Sequence, residues 1–190
     1  MFNRESEIIQ PLRALVETST HRALVLWALE CTRRFLKIYE ERVPGDDRPS
    51  CAYERALAWA AGAIKIGEGR QAILSAHRAA REAEADPIAW AAARAVGQGL
   101  STIHVETHAL GMVFYGLTCL IHLDQTGDPA AVADKEIAWF YEALEKINDA
   151  PEDPNRPWAA FLLKDRPNKE RLLREKTERR RESSELAGKL

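Results

Sequence analysis

Apolar residues recur at intervals of three and four along most of this 190-residue chain, and we find no convincing stretch in which apolar and polar residues alternate. Intervals of three and four place side chains on one face of an α-helix, whereas a half-buried strand requires alternation. Residues 21–43 show the pattern most clearly, with one apolar stripe formed by Leu24, Trp27, Ala28, Cys31, Phe35, Ile38 and Tyr39. The sequence therefore predicts an all-α fold.

Caps and weak helix formers divide the chain into separate helices. Asp86 followed by Pro87 is a strong helix start, because the carboxylate caps the helix and proline suits its first position. The apolar stretch 88–123 is too long for one helix in a domain of this size. Its segment STIHVET is rich in weak helix formers, so we place a junction between 99 and 107. We expect a compact bundle of about six to eight helices.

The composition changes near residue 148, and we divide the chain there. Residues 1–148 are predicted to form the helical domain, and 149–190 to form a linker and a charged C-terminal helical extension. The proline-rich segment 148–157 is the linker, and WAAFLLKD at 158–165 is expected to be a short apolar helix that docks on the domain. The tail after Pro167 mixes both signs of charge, which is typical of a solvated helix.

Charge and hydropathy argue against several classes of partner. The formal net charge is −2, so the chain is not suited to coating nucleic acid or an anionic membrane. Its longest apolar run, 109–123, is shorter than the roughly 20 residues of a membrane span. The charged N-terminus does not resemble a secretion signal, and Cys31, Cys51 and Cys119 lack the spacing of a disulfide scaffold or zinc knuckle. We expect a cytoplasmic protein with reduced thiols and no nucleic-acid or membrane partner.

His104 and His108 are four residues apart, a spacing that metal sites on helices use. However, Glu106 lies midway between them and would point away from both on a helix, unlike the acid of HExxH or HxxEH. A further ligand would have to come from elsewhere, with His77 as one candidate. We therefore expect buried, hydrogen-bonded histidines, and keep a metal or ligand site at His77, His104 and His108 as the alternative.

Signatures of catalysis are missing from the sequence. It contains no GxGxxG, phosphate-binding loop, GxSxG or kinase motif. Ser101 and Cys119 have histidines nearby in sequence, but at spacings that do not define a triad. We predict neither catalytic residues nor a cofactor, and a protein that is not an enzyme.

Three stretches, read together, resemble one known family. They are LWALECTRRFLKIYEERVPGDDRP, LAWAAGAIKIGEGRQAILSAHRAAREA and AARAVGQGLSTIHVETHALGMVFYGL. They are similar to the immunity-five-like domain family, helical proteins proposed to provide immunity in bacterial polymorphic toxin systems, over about residues 20–122. The shared features are Trp27, Ala28, the DDRP at 46–49, Trp59, Glu68, Arg70, His77, Arg81, Gly97, His104, His108, Ala109 and Tyr115. This chain has Gln98 where members often have histidine, and lacks the proline that is common between the last two histidines.

The resemblance implies a cytoplasmic protein that binds a cognate toxin domain and blocks it, with no catalytic residues. It leaves open which toxin is bound and whether the chain forms a homo-oligomer. The candidate polar network or binding residues are Asp46, Asp47, Arg48, Glu68, Arg70, His77, Arg81, His104, His108 and Tyr115. Because a buried charge requires a partner, we expect Glu68, Arg70 and Arg81 to satisfy the three histidines wherever these groups are buried.

Overall fold

The computed structural model describes residues 2–164 and 166–187, with side chains to residue 184. This part of the chain contains helices and no strand, which confirms the all-α prediction. A 3-10 helix (Glu7–Ile9) precedes eight α-helices: α1 (Gln10–Thr18), α2 (His21–Arg42), α3 (Arg48–Ala60), α4 (Ile66–Glu82), α5 (Pro87–Ser101), α6 (His108–Leu123), α7 (Pro129–Asp149) and α8 (Lys169–Ala187). No helix in these ranges is both long and apolar enough to span a bilayer.

Helix α5 occupies the centre of the bundle and packs against α2, α4 and α6. Its sequence is rich in alanine and glycine, whose small side chains allow neighbouring helices to approach closely. The Asp86 side chain accepts hydrogen bonds from the backbone N–H groups of Ile88 and Ala89 (3.0 and 3.2 Å), as its capping position predicts. Helix α5 ends at Ser101 and α6 begins at His108, so the predicted junction is confirmed.

Helix α2 runs antiparallel to α5 along its whole length. At one end, Arg42 pairs with Asp86 (2.7 Å), and at the other His21 Nε2 donates a hydrogen bond to the carbonyl oxygen of Thr102 (2.7 Å). The apolar stripe predicted for α2 is buried except for Ile38, which is partly exposed. Helix α7 then packs across α1, α2 and α6 and closes the core.

Residues 160–163 form turns, and no helix is present in 158–164, so the predicted short helix at this position is wrong. One backbone N–H of the segment bonds to the bundle: that of Ala159 donates to the carbonyl oxygen of Ala60 at the end of α3 (2.7 Å). Within the segment, the N–H of Leu162 donates to the carbonyl oxygen of Ala159 three residues earlier (2.9 Å), which is the hydrogen bond of a single turn. Leu162 is buried, and Phe161 lies 5.9 Å from Trp59, ring centroid to centroid. The segment therefore docks on the bundle, as expected, without becoming helical.

Helix α8 is anchored at its N-terminal end, whereas the sequence predicted a helix surrounded by solvent. Glu170 is fully buried and accepts a hydrogen bond from Arg4 Nε (2.8 Å), and its carboxylate lies 3.3 Å from Arg13 Nε. The Asn168 side chain donates to the carbonyl oxygens of Val16 and Ser19 (2.7 and 3.1 Å). The other residues of α8 up to residue 184 are exposed, apart from Lys169 and Thr177, which are partly exposed.

Candidate functional site

Helix α5 leaves one stripe partly exposed. Trp90, Arg94 and Gln98 recur at intervals of four and are partly exposed. All the remaining residues from 89 to 101 are buried. The intervals place the three side chains on one face of the helix. Since α4 and α6 both pack against α5, this stripe forms the floor of a shallow groove between them.

We call this feature the α5 groove. Its floor is formed by the stripe of α5, and its walls by residues of α4 and α6. Helix α4 carries Arg70, His77 and Arg81, and helix α6 carries His108 and Tyr115. All five were singled out from the sequence, and the fold places them around a helix whose own contribution was not predicted.

His108 is held at the floor by Gln98. The Nδ1 of His108 and the Oε1 of Gln98 are 2.7 Å apart, and because an amide oxygen only accepts, the imidazole N–H donates. The Gln98 side chain in turn crosses Gly111, where a Cβ would lie 2.5 Å from Oε1. Glycine at 111 therefore makes room for the contact that orients His108.

His104 lies in the loop between α5 and α6, packed between two aromatic rings. Its ring stacks on Trp59, with centroids 5.8 Å apart and an interplanar angle of 26°, and its centroid is 5.3 Å from that of His108. Burial lowers the pKa of His104 to about 4, and the nearby His108 and Arg70 add to this effect. His104 is therefore a neutral imidazole at neutral pH.

His77 is packed against the backbone of α5 at Gly97. A Cβ at position 97 would lie 2.4 Å from the Cε1 of His77, so only glycine admits the ring there. The pKa of His77 is lowered to about 4. Burial is the largest cause, and the nearby Arg94, His108 and Arg81 lower it further. The Nδ1 of His77 and that of His104 are buried and have no hydrogen-bond partner among the described residues.

Arg94 is the central charge of the groove. Its Nη2 donates to the hydroxyl of Tyr115 (2.9 Å), and its guanidinium carbon lies 4.8 Å from the centroid of that ring, a cation–π distance. The ring of Trp90 meets Tyr115 edge-on, with centroids 5.5 Å apart. The buried Nε of Arg94 has no hydrogen-bond partner in the described part of the chain, and no carboxylate there forms a salt bridge with its guanidinium.

The prediction that Glu68, Arg70 and Arg81 form a buried network with the histidines is wrong. Glu68, Arg70 and Arg81 are exposed, because their positions on α4 face solvent. Glu68 pairs instead with Arg55 of α3 (2.7 Å). The hydrogen bond of His108 goes to Gln98, a neutral side chain. No described acidic residue therefore pairs with His77, His104 or His108 as expected.

The DDRP motif forms a separate cluster at the end of the bundle where α5 begins. Asp46 accepts hydrogen bonds from the Tyr39 hydroxyl (2.6 Å) and from Arg48 Nε and Nη2 (2.8 and 2.7 Å). The Arg48 guanidinium lowers the pKa of Asp46 to about 2. Arg48 also pairs with Glu82 at the end of α4 (2.6 Å). Asp47 is exposed and makes no side-chain cap, so the motif connects the ends of helices.

The geometry does not favour the metal alternative. Among the described residues, no group of three or more His, Cys, Asp or Glu side chains is arranged to hold a metal ion. Glu106, the acid between His104 and His108, is buried and faces His21, with Oε1 3.7 Å from Nδ1. The histidines thus make aromatic and amide contacts in place of the carboxylate contacts that orient metal ligands.

Comparison with known families identifies the chain. Residues 14–147, well over half of its length, match the family described as "Imm-5 like putative immunity protein". The chain belongs to this family. No curated protein and no solved structure matches it. The match extends beyond the predicted span of resemblance in both directions, and it includes the whole α5 groove but not α8.

Trp90, Arg94 and Gln98 were not predicted as site residues, although a signal was present. They are the only large or polar side chains in the middle of a helix otherwise built from alanine, glycine and valine, and their spacing of four places them on one face. A polar stripe on an otherwise apolar helix indicates either a buried network or an open groove. The neighbouring helices decide which, and the sequence does not show where these helices pack.

Proposed function

We propose that this chain is an immunity protein that binds a cognate bacterial toxin domain and neutralises it in the cytoplasm of the producing cell. Membership of the Imm-5 like family over residues 14–147 carries the proposal. The alternative, a metal- or ligand-binding protein using the three histidines, has no comparable support, because the described residues offer no metal-binding group.

The α5 groove supports a binding function. It combines rigid aromatic side chains with a cation, Arg94, that has no carboxylate partner among the described residues. Aromatic residues and arginine are enriched at the residues that carry most of the energy of protein interfaces. The side chains are held by contacts such as that of His77 with Gly97, so little conformational freedom is lost on binding.

The experiment is a growth competition within the strain that encodes this chain. A deletion mutant is mixed with its parent at high cell density, and the ratio of the two strains is followed by colony counts. We expect the parent to kill the mutant, because the mutant no longer neutralises the toxin. Expression of the intact chain from a plasmid should restore survival.

The control is a competition between the mutant and a parent that lacks all of its secreted multidomain toxins. Against this parent the mutant should survive without complementation. The decisive comparison uses a parent that is shown to secrete those toxins. If the mutant and the complemented mutant survive equally well beside it, the proposal is contradicted.

A further inference from the structure

The α5 groove carries a positive charge, Arg94, that no described carboxylate balances. We propose that the groove receives an acidic side chain of the toxin domain, whose carboxylate pairs with Arg94 beside His77 and Arg81. This inference rests on the proposed function, and it adds the chemical class that is recognised and the residues that recognise it.

The first support is the absence of acidic side chains from the helices that form the floor and one wall. Helix α5 and helix α6 contain no aspartate or glutamate. Helix α4 has only Glu68 and Glu82, at its two ends, and these pair with Arg55 and Arg48 of α3. The middle of the groove is therefore basic.

The second support is the state of Arg94 itself. It is half-buried, its Nε lacks a partner, and the only hydrogen bond of its guanidinium goes to a neutral hydroxyl, within the described residues. A partly desolvated guanidinium is normally paired, because its charge is costly to remove from water. A carboxylate supplied by a partner would provide the missing charge, in the planar two-oxygen form that guanidinium binds best.

The third support is the uniform charge around His77. The groups that affect its titration are Arg94, His108 and Arg81, and each disfavours the charged imidazolium. Within the described part of the chain, no carboxylate is among the groups that shift this pKa. The neutral ring lies near both arginines and adds no charge of its own, so an incoming anion meets a site that is already positive.

A carboxylate fits the whole molecule better than the phosphates of a nucleic acid do. Nucleic-acid binding requires a basic surface that follows many phosphates. Here the formal net charge is −2, and the charged part of the groove covers a short section of three helices. A single acidic side chain or a short acidic segment of a protein matches a site of this size.

The test is an NMR titration of the full-length chain with a synthetic peptide that contains two glutamates, compared with the same peptide carrying glutamines. We expect the glutamate peptide to shift the backbone amide signals of residues 77, 81, 94 and 98, and the glutamine peptide to leave them unchanged. Arg94→Gln should weaken binding by about tenfold or more, since a charged hydrogen bond is removed.

Arg81→Gln is a second variant at an exposed position, and it keeps the test decisive if Arg94→Gln does not fold. It should also weaken binding. Arg33→Gln makes the same change of charge on an exposed part of α2, and it should bind the peptide as the parent does.

Several results would overturn the inference. These are binding of the glutamine peptide with equal affinity, no loss of affinity in Arg94→Gln and Arg81→Gln, or no binding of the glutamate peptide at all. Binding of a short single-stranded RNA or of inorganic phosphate in place of the glutamate peptide would assign the groove to phosphate. The titration uses no toxin, so its failure is distinguishable from failure of the growth competition.

Discussion

The imidazole of His77 lies against Gly97 so closely that a Cβ at position 97 would be 2.4 Å from its Cε1 atom. The contact joins α4 to α5 at the middle of the groove. It also fixes an imidazole whose pKa is lowered by burial and by the charges of Arg94 and Arg81. The pair therefore links the packing of the bundle to the geometry of the proposed binding site.

Gly97→Ala tests this contact. The added methyl group must displace the His77 ring, and overpacking of this kind costs about 1–3 kcal/mol of unfolding free energy. The better helix propensity of alanine offsets up to about 1 kcal/mol of that cost. We expect a net loss of stability in urea denaturation.

Gly67→Ala is the matched control for this variant. Gly67 lies in the first turn of α4, and nothing lies within 4 Å of a Cβ there. We expect a gain of about 0.4–1 kcal/mol, because alanine restricts the unfolded chain. Equal effects of the two substitutions would show that His77 moves freely and that the contact does not hold it.

The buried histidines should make stability depend on pH. Burial lowers the pKa of His77 and His104 from 6.5 to about 4. Between these values the unfolded chain binds protons that the folded chain does not. Above about pH 6.5 the histidines therefore do not reduce the unfolding free energy. As the pH drops from 6.5 toward 4, the unfolding free energy falls by up to about 1.4 kcal/mol per pH unit for each histidine.

Urea denaturation at a series of pH values measures this slope. His77→Gln and His104→Gln should each give a shallower dependence than the parent between pH 6.5 and 4. Comparison with the parent removes the contribution of the carboxyl groups, which titrate in all three proteins. A slope that is the same in the parent and both variants would show that the histidines titrate freely in the fold.

Glu170→Gln tests how α8 is held. Glu170 is fully buried against Arg4 and Arg13, and removal of its charge leaves those arginines without this partner. Breaking a buried pair costs about 3 kcal/mol or more, which corresponds to roughly a hundredfold faster hydrogen exchange in α8 if the helix opens locally. Mass spectrometry of exchange in 170–184 gives the rate.

Glu175→Gln is the control on the same helix. Glu175 is about half exposed and lies 3.7 Å from Arg171, a pair worth less than about 1 kcal/mol. Exchange in α8 should change little in this variant. If Glu170→Gln also leaves the exchange of α8 unchanged, the ionic contact is not what anchors the helix.

Asp46→Asn should loosen the end of the bundle where α2, α3 and α4 meet. Asp46 accepts hydrogen bonds from both Tyr39 and Arg48, and its pKa is lowered to about 2, chiefly by Arg48. Its stabilising effect is therefore present above about pH 4 and lost as the pH falls toward 2. At pH 7 we expect a loss of about 1–3 kcal/mol, and Tyr39→Phe, which leaves the ion pair intact, should lose less.

The sequence predicted the helices and the junction before α6 because those features depend on local signals. Asp86 with Pro87 starts α5, and the weak helix formers at 101–107 end it. The partners of side chains depend instead on how helices pack. Glu68 turns to Arg55 of α3, and the buried Glu170 comes from a tail in which acidic residues are common, so neither contact was predictable from spacing.

In the candidate site too, the residue types could be predicted from the sequence, whereas their contacts depend on how the helices pack. His77, His104, His108 and Tyr115 were selected by type and by resemblance. In the fold, His104 lies beside His108, and His77, His108 and Tyr115 each contact α5. Their grouping depends on the exposed stripe of α5, which only the packing of α4 and α6 reveals. The short segment at 158–163 was mispredicted for a related reason, since its conformation depends on contacts with the bundle: the N–H of Ala159 bonds to Ala60, and Leu162 is buried.

The most direct test of the account is a titration of toxin activity with the purified chain, using the toxin domain responsible for killing in the growth competition. We predict that activity falls linearly and is abolished at one equivalent of the chain, and that the two proteins elute together from a size-exclusion column. Protection at far below one equivalent, or without a complex, would contradict neutralisation by binding and would indicate a catalytic mode of immunity.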